Sequence, residues 1–219
     1  MCIYYNDAAP DIPELYFIYE EDTIMKTNIR KLTGTAMLSA AAYVLMFLEF
    51  PIPFLIPPFI KMDFSELPAL MAAFAYGPVS GVLVCLIKNL LHLMNTQSGG
   101  VGELSNFILG AAFVLTAGLV YKKVHTKKGA LIGSLIGAAV MGFISLFTNY
   151  YVVCPIYTNF MPMDAIIGAY QLILPSVDDL WDCLLIFNLP FTIAKGLCSV
   201  VITMFIYKPL RNILKGAGQ

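Results

Sequence analysis

The chain has 219 residues, of which 59% are hydrophobic and only 12% are charged, and its mean hydropathy is +0.78. Soluble domains carry about 25% charged residues. The composition is therefore that of a membrane protein and excludes an ordinary water-soluble domain. With a net charge of −1, no nucleic-acid partner is expected.

The first 24 residues differ in composition from the rest, since they hold six acidic residues and no Lys or Arg. A secretory signal begins with basic residues followed by an apolar run, and this segment has neither. From Met25 onward, 13 basic minus 8 acidic residues give a charge of +5. We therefore expect two parts: an acidic extension, residues 1–24, disordered or an artefact of start-site assignment, and a membrane domain, residues 25–219. The alternative is a short acidic tail with its own partner.

Six apolar segments follow the extension. In chain order they are Leu32–Phe50, Pro68–Tyr76, Val79–Met94, Leu104–Tyr121, Ala130–Tyr151 and Leu184–Tyr207. A membrane-spanning helix needs about 20 residues, and four segments reach that length. The second and third are shorter, and we interpret them as two short or broken spans joined by a tight turn at Ala75–Pro78. The predicted fold is an all-α membrane protein with six transmembrane helices.

The distribution of Lys and Arg predicts the orientation of these helices. With both termini in the cytoplasm, ten of the thirteen basic residues fall on the inner side and only Lys61 falls on the outer side. Short cytoplasmic loops are enriched in Lys and Arg. The pattern therefore favours six spans over five, with the longer and more varied loops outside, and it predicts a multi-pass protein of the cell membrane.

A proline-rich loop, Phe50–Met62, lies between the first two apolar segments. Because proline fixes the backbone angle φ, such a loop can close over a site with little loss of entropy, although a stiff connector is the alternative. The following residues, Asp63 to Glu66, match a helix start. We expect Asp63 to cap the second helix and Glu66 to reach back to the cap, a variant of the capping box.

Two lysines, Lys88 and Lys195, fall inside predicted spans. A charge at the centre of a membrane helix costs roughly 2.5–3.5 kcal/mol on insertion scales, so each lysine should face protein or water. Either can serve a structural role by pairing with a carboxylate, for example Glu103.

Several polar side chains fall near these lysines and among aromatic residues. They are Asn106, Asn149, Asn188 and Thr192. The aromatic residues around them in the sequence are Phe74, Phe107, Tyr150, Tyr151, Tyr157, Phe187 and Phe191. An amide presents a donor and an acceptor side by side, so this set suits a planar heteroaromatic ligand.

Three longer stretches resemble a known family. FSELPALMAAFAYGPVSGVLVCLIKNLLHLM, GGVGELSNFILGAAFVLTAGLVY and PFTIAKG are similar to the riboflavin-specific substrate-binding (S) component of energy-coupling factor (ECF) vitamin transporters. The resemblance covers about residues 25–215. It implies a six-helix S-component fold and a vitamin pocket near the outer face, closed by the loop after the first helix. It also implies docking to a transmembrane coupling protein driven by two ATPase subunits.

The resemblance also assigns site residues. The flavin contacts of the family on the fifth and sixth helices correspond to Asn149 and Lys195. Many members place an asparagine three residues before that lysine, whereas this chain has Thr192, so one ring contact is lost or passes to Asn188. The helix face that meets the coupling protein corresponds to Ala36 and Ala40, for which internal packing is the alternative. Gly133 and Gly137 on the fifth helix have the same spacing, and we expect them to pack internally.

The last of the outer loops is the long connection Val153–Asp182. It ends in the acidic residues of Asp178–Asp182, which we expect at the start of the last helix, where the helix dipole favours them.

The chain carries no ATP-binding P-loop and no convincing catalytic set, so energy must come from a partner chain. We expect no enzyme activity, no metal and no cofactor other than the transported riboflavin. The first alternative is an S component for another vitamin or a flavin analogue. The second, from a different class, is an intramembrane enzyme or a channel.

Overall fold

A computed structural model of the chain describes residues 12–96 and 98–215, with side chains described for residues 28–96 and 98–206. Most described residues are helical, which confirms the all-α class. The elements are α1 (Ile12–Phe47), β1 (Phe50–Pro51), β2 (Lys61–Met62), α2 (Glu66–Tyr76), α3 (Pro78–His92), α4 (Val101–Lys123), α5 (Lys127–Thr148), α6 (Cys154–Tyr157), α7 (Met163–Gln171), α8 (Leu180–Cys183) and α9 (Leu189–Lys215).

The predicted acidic extension lies partly beyond this description. Residues 1–11 are outside the described residues, and positions 12–24 form the backbone of the first part of α1. The division of the chain at position 24 therefore stays a prediction.

Two π-helical segments join neighbouring helices end to end. Asn149–Val153 connects α5 to α6, and Leu184–Asn188 connects α8 to α9. Within the described part of the chain, four helices are long and apolar enough to cross a membrane. They are Pro78–Asn95, Val101–Lys123, Lys127–Tyr157 and Leu180–Ile206. These four support a membrane protein, and the count of six spans stays a prediction.

Helix α2 lies at the centre of the bundle, where it contacts α1, α3, α4 and α9. Its 11 residues rise about 17 Å, which is too short to cross a bilayer alone. Every residue from Glu66 to Phe74 is buried, because the run of Ala, Leu and Met side chains fills the space between the longer helices. The short second apolar segment is therefore a buried core helix.

The tight turn predicted at Ala75–Pro78 is confirmed. Helix α2 ends at Tyr76 and α3 begins at Pro78, with Gly77 alone between them at φ 107°. A residue without a Cβ takes this backbone angle without strain, and Pro78 is well suited to the first position of a helix.

Small residues allow close contact between α4 and α5, as the sequence predicts for Gly133 and Gly137. Both are buried, and a Cβ on Gly137 would lie 2.7 Å from the backbone oxygen of Phe113. In lipid, such small residues permit the close van der Waals packing that holds helices together.

The connection Val153–Asp182, expected to be a long loop, instead contains α7. Ile166 and Tyr170 on this helix pack against Val177, Cys183 and Phe187 in a small apolar cluster of their own. The acidic residues at the start of the last helix behave as predicted, since the Asp179 carboxylate accepts a hydrogen bond from the Leu180 backbone N–H at 2.7 Å. This segment therefore forms a packed wall of the bundle.

We predict that Gly137→Ala lowers the thermal unfolding midpoint by several degrees. The added methyl group would meet the Phe113 backbone, and overpacking of this kind costs about 1–3 kcal/mol. Gly168→Ala on α7 is the matched control, because a Cβ there meets nothing within 4 Å and alanine favours the helix. Thermal unfolding of both variants in detergent measures the difference. Equal midpoints for the two variants would contradict the packing assigned to α4 and α5.

Candidate functional site

A cavity of about 470 Å³ lies between the proline-rich loop and the ends of the long helices. Its volume is in the range of small-molecule sites, about 300–1,000 Å³. The wall includes the end of α3, the start of α4, both π segments and the start of α9. All four side chains predicted to contact the ligand line it: Asn149, Asn188, Thr192 and Lys195.

The two predicted asparagines sit at the edges of the π segments. Asn149 is the first residue of one segment, and Asn188 is the last residue of the other. A π-helical turn holds an extra residue and changes which side chains face inward, and such bulges are frequent at functional sites. Two helices of regular pitch would present different side chains to the cavity.

The polar side chains on this wall differ in which hydrogen-bonding groups they leave for a ligand. The Asn188 Oδ1 accepts a hydrogen bond from the Tyr170 hydroxyl at 2.8 Å, which leaves the amide NH₂ to donate elsewhere. Asn149 and Thr192 are both buried and make no side-chain hydrogen bond to another described residue. The wall can therefore offer amide donors, an amide acceptor and a hydroxyl to a ligand.

Lys195 reaches the same wall but already has partners. Its ammonium donates to the Asp63 Oδ2 at 2.6 Å and to the Asn106 Oδ1 at 3.3 Å. An ammonium has three donors, so one remains for a ligand. The sequence predicts a carboxylate partner for such a lysine. In the structure the partner of Lys195 is Asp63, which is far away in the chain.

Asp63 stays ionised in this environment. Burial by itself would raise the pKa of its carboxyl, but the ammonium groups of Lys195 and Lys88 and the hydrogen bonds it accepts outweigh that effect. The pKa of Asp63 is therefore well below its usual range. Ion pair and hydrogen bonds together make this buried carboxylate a fixed negative charge at the edge of the cavity.

The predicted capping box at the start of α2 is wrong. The Asp63 Oδ1 accepts hydrogen bonds from the Ser65 backbone N–H at 2.9 Å and from the Ser65 hydroxyl, so Asp63 fixes the residue before the helix. Glu66 does not turn back to the cap. It pairs with Lys88, because a fully buried ammonium requires a carboxylate within reach.

Lys88 takes the structural role that the sequence left open, although not with Glu103. Its ammonium lies 2.6 Å from the Glu66 Oε1 and 2.6 Å from the Ser65 Oγ, and both charged side chains are 0% exposed. Gly110 makes room for the carboxylate, since a Cβ there would lie 2.5 Å from the Glu66 Oε2. Glu103 instead lies 2.9 Å from the His92 Nδ1.

The proline-rich loop covers one side of the cavity. Its ends form the two-residue strands β1 and β2, which pair antiparallel, and Lys61 lies 2.5 Å from Glu49 beside them. From the middle of the loop Ile56, Pro58, Phe59 and Ile60 face the cavity. The Phe59 ring centroid is 6.1 Å from those of both Tyr157 and Tyr170, so the loop is packed against the opposite wall.

The aromatic surface of the cavity is only partly the one expected. Of the aromatic residues noted in the sequence, Tyr157 and Phe191 line it, whereas Phe74 and Phe107 pack in the helix core. Phe59, Phe160 and Tyr170 also line it. These three lie outside the six apolar segments, so a search confined to predicted spans misses them.

The predicted docking residues lie away from the cavity. Ala36 and Ala40 are both exposed on one face of α1. Internal packing of the kind found at Gly133 and Gly137 is therefore absent at these two alanines within the described chain. Among the described residues, no group of three or more His, Cys, Asp or Glu side chains could hold a metal ion.

Comparison with known proteins identifies the family. A family model described as "ECF transporter, substrate-specific component" matches residues 30–207. The riboflavin transporter RibU of Staphylococcus aureus (strain TCH60) is 38% identical over 191 residues, which cover 87% of this chain and 95% of that protein. The riboflavin transporter FmnP of Bacillus subtilis (strain 168) is 35% identical over 187 residues, which cover 84% and 93%.

A solved structure gives the same result in three dimensions. It is described as "Structure and mechanism of the S component of a bacterial ECF transporter", and it matches with a TM-score of 0.68 and 35% sequence identity. The match covers 86% of this chain and 99% of that one. Fold and sequence thus agree over most of the chain, and the chain belongs to the family of substrate-specific components of ECF transporters.

Proposed function

We propose that this chain is the high-affinity riboflavin-binding subunit of an ECF-type vitamin uptake transporter. The observation that carries the proposal is the meeting of Asn149, Asn188, Thr192 and Lys195 in one cavity with aromatic walls. Relatives more than 30% identical are named riboflavin transporters, which supports the same ligand here. A protein of this family is a transporter component and not an enzyme.

Riboflavin has a planar tricyclic ring, a polar pyrimidine edge and a polyhydroxyl tail. In the proposed complex the ring lies among Phe59, Tyr157 and Phe191, and its edge pairs with the Asn149 amide. An amide can donate to a ring carbonyl and accept from a ring N–H at the same time. Asn188 and Thr192 supply further donors to the ring, and Lys195 donates to a ring carbonyl or a tail hydroxyl.

The chain needs partners to move the vitamin across the membrane. We propose six spans, of which α2 is a short one enclosed by its longer neighbours, with both termini in the cytoplasm of a bacterium and with the cavity facing outward. Ala36 and Ala40, exposed on α1, would dock to a transmembrane coupling protein, because small residues let helices approach closely in lipid. Two ATPase subunits bound to that protein would then supply the energy.

One observation favours a second ligand. Thr192 stands where many members of the family have asparagine, so a ring contact is altered, and a flavin analogue or another vitamin is the alternative cargo. The absorbance spectrum of the purified protein separates a flavin cargo from another vitamin. Co-purified riboflavin gives a yellow protein with flavin bands, whereas a cargo without a flavin ring gives no such bands.

The orientation is tested by labelling single cysteines in intact cells with a membrane-impermeant reagent. Cys198, which is exposed, and Cys2, which lies outside the described residues, would first be replaced by serine. We predict that Leu172→Cys, a position 89% exposed, reacts from outside, whereas His125→Cys reacts only after the membrane is permeabilised. The Lys and Arg asymmetry gives this direction. The reverse pattern would refute both the topology and the outward-facing site.

We predict that Lys195→Met weakens riboflavin binding by about ten- to a hundredfold, since a hydrogen bond from a charged donor contributes about 1.5–3 kcal/mol. The single substitution also leaves Asp63 buried without its partner, and a broken buried pair costs about 3–5 kcal/mol. Lys195→Met with Asp63→Asn removes both charges and is the control for stability. Titration by quenching of flavin fluorescence measures the affinity. Parent-like binding by the stable double variant would remove Lys195 from the site.

We predict that Phe59→Ala raises the riboflavin off-rate about tenfold and changes the on-rate much less, because Phe59 packs across the cavity and closes the loop. Phe54→Ala is the matched control, since Phe54 is in the same loop but is 81% exposed and does not line the cavity. Stopped-flow fluorescence gives both rates. If the two variants release flavin equally fast, the loop is a connector and not a lid.

A further inference from the structure

Asp63 occupies the junction between the loop and the helix core. It follows strand β2, which ends the proline-rich loop, and lies three positions before Glu66, the first residue of α2. The residue is 3% exposed and lies at the edge of the cavity. Any contact that Asp63 makes with the core therefore also holds this end of the loop.

One carboxylate oxygen of Asp63 is held by residues of the helix core. Its Oδ1 accepts two hydrogen bonds from Ser65, and the Ser65 Oγ accepts one from the Lys88 ammonium at 2.6 Å. Lys88 in turn is paired with Glu66. This chain of contacts ties Asp63 to α2 and α3, both of which are packed in the interior.

The other carboxylate oxygen of Asp63 points to the ligand site. Its Oδ2 accepts the hydrogen bond from Lys195 on α9, and the second contact of Lys195, with Asn106, is longer at 3.3 Å. Asp63 is therefore the main group that fixes the Lys195 ammonium. It does so while it also ends the loop that covers the cavity.

We infer that Asp63 is a positioning residue that couples ligand contact to loop closure. It keeps the Lys195 ammonium pointed at the ligand and fastens the end of the loop to α9. A ligand that hydrogen-bonds to Lys195 thereby strengthens the contact that holds the proline-rich loop closed over it. Release of the ligand requires this contact between Asp63 and Lys195 to loosen. The inference rests on the proposed flavin-binding function and adds a residue and a coupling to it.

The Glu66–Lys88 pair separates this role from a structural one. It has the same 2.6 Å distance as the Asp63–Lys195 pair and is buried more completely, with side chains 0% exposed against 9% and 4%, but neither residue lines the cavity. Replacing Glu66 by Gln weakens this pair and the start of α2, while Lys88 still donates to Ser65 and Lys195 is untouched. If Asp63 only stabilised α2, loss of either pair would change ligand release in the same way.

The first experiment measures riboflavin release from Asp63→Asn, which keeps the shape of the side chain and loses its charge. We expect the off-rate to rise about tenfold, with an on-rate within about twofold of the parent, since the effect is on an interaction made in the closed state. Glu66→Gln, which keeps Lys88 and its hydrogen bond to Ser65, should lower the thermal midpoint and leave the off-rate within about twofold. Equal off-rates for the two variants would overturn the inference.

The second experiment tests whether Asp63 acts through Lys195. In a protein that already carries Lys195→Met, adding Asp63→Asn should leave the off-rate unchanged, because the group that Asp63 positions is gone. An additional tenfold increase in that background would show that Asp63 acts by another route and would contradict the inference.

A third experiment needs no ligand. Spin labels at Phe54→Cys on the loop and Leu172→Cys after α7 occupy exposed positions, with Cys2 and Cys198 replaced by serine. We expect the label-to-label distance distribution to broaden when Asp63→Asn is added, because the end of the loop is released from α9. An unchanged distribution would refute the attachment of the loop to α9 through Asp63. If the parent protein fails to bind riboflavin, the proposed function fails, and this measurement still decides whether Asp63 anchors the loop.

Discussion

The rest of the structure depends on one network of buried charged and polar side chains. It runs from Lys195 through Asp63 and Ser65 to Lys88 and Glu66. In an apolar interior each ammonium requires a carboxylate and each carboxylate requires donors. Meeting these requirements brings α9 to the start of α2 and fixes α2 against α3. The partners are far apart in the chain, so the network also selects one arrangement of the helices.

The cavity follows from that arrangement. Helix α2 alone is too short to cross a bilayer. The space beyond its first residue is enclosed by the proline-rich loop and the ends of the longer helices. The π segments widen the helical turn at Asn149 and near Asn188, so that amides face inward from two directions. The site thus combines amide, hydroxyl and ammonium groups with aromatic rings, as the polar edge and the faces of a flavin ring require.

A binding subunit that only captures its ligand must combine slow release with a means of opening. The packing of Phe59 against Tyr157 and Tyr170 favours the closed loop, and the Asp63 tether connects that loop to the lysine at the site. Both contacts lie at one end of the molecule. The exposed face of α1 that carries Ala36 and Ala40 remains accessible to a partner helix.

The sequence by itself determined the membrane class, the turn at Gly77, the glycine face of α5 and four of the polar residues that line the cavity. The first three follow from hydropathy, from local backbone chemistry and from residue spacing, which act over a few residues, whereas Asn149 and Lys195 follow from the resemblance to the family. Only the tertiary structure decided the ion-pair partners, the helical nature of the Val153–Asp182 connection, the π segments and the inward-facing Phe59 and Tyr170. Asp63 looked like a cap and Glu66 like its partner because local spacing permits a capping box. The buried ammonium groups of Lys195 and Lys88 outweigh that local preference, since an unpaired charge in an apolar interior costs more than a lost cap.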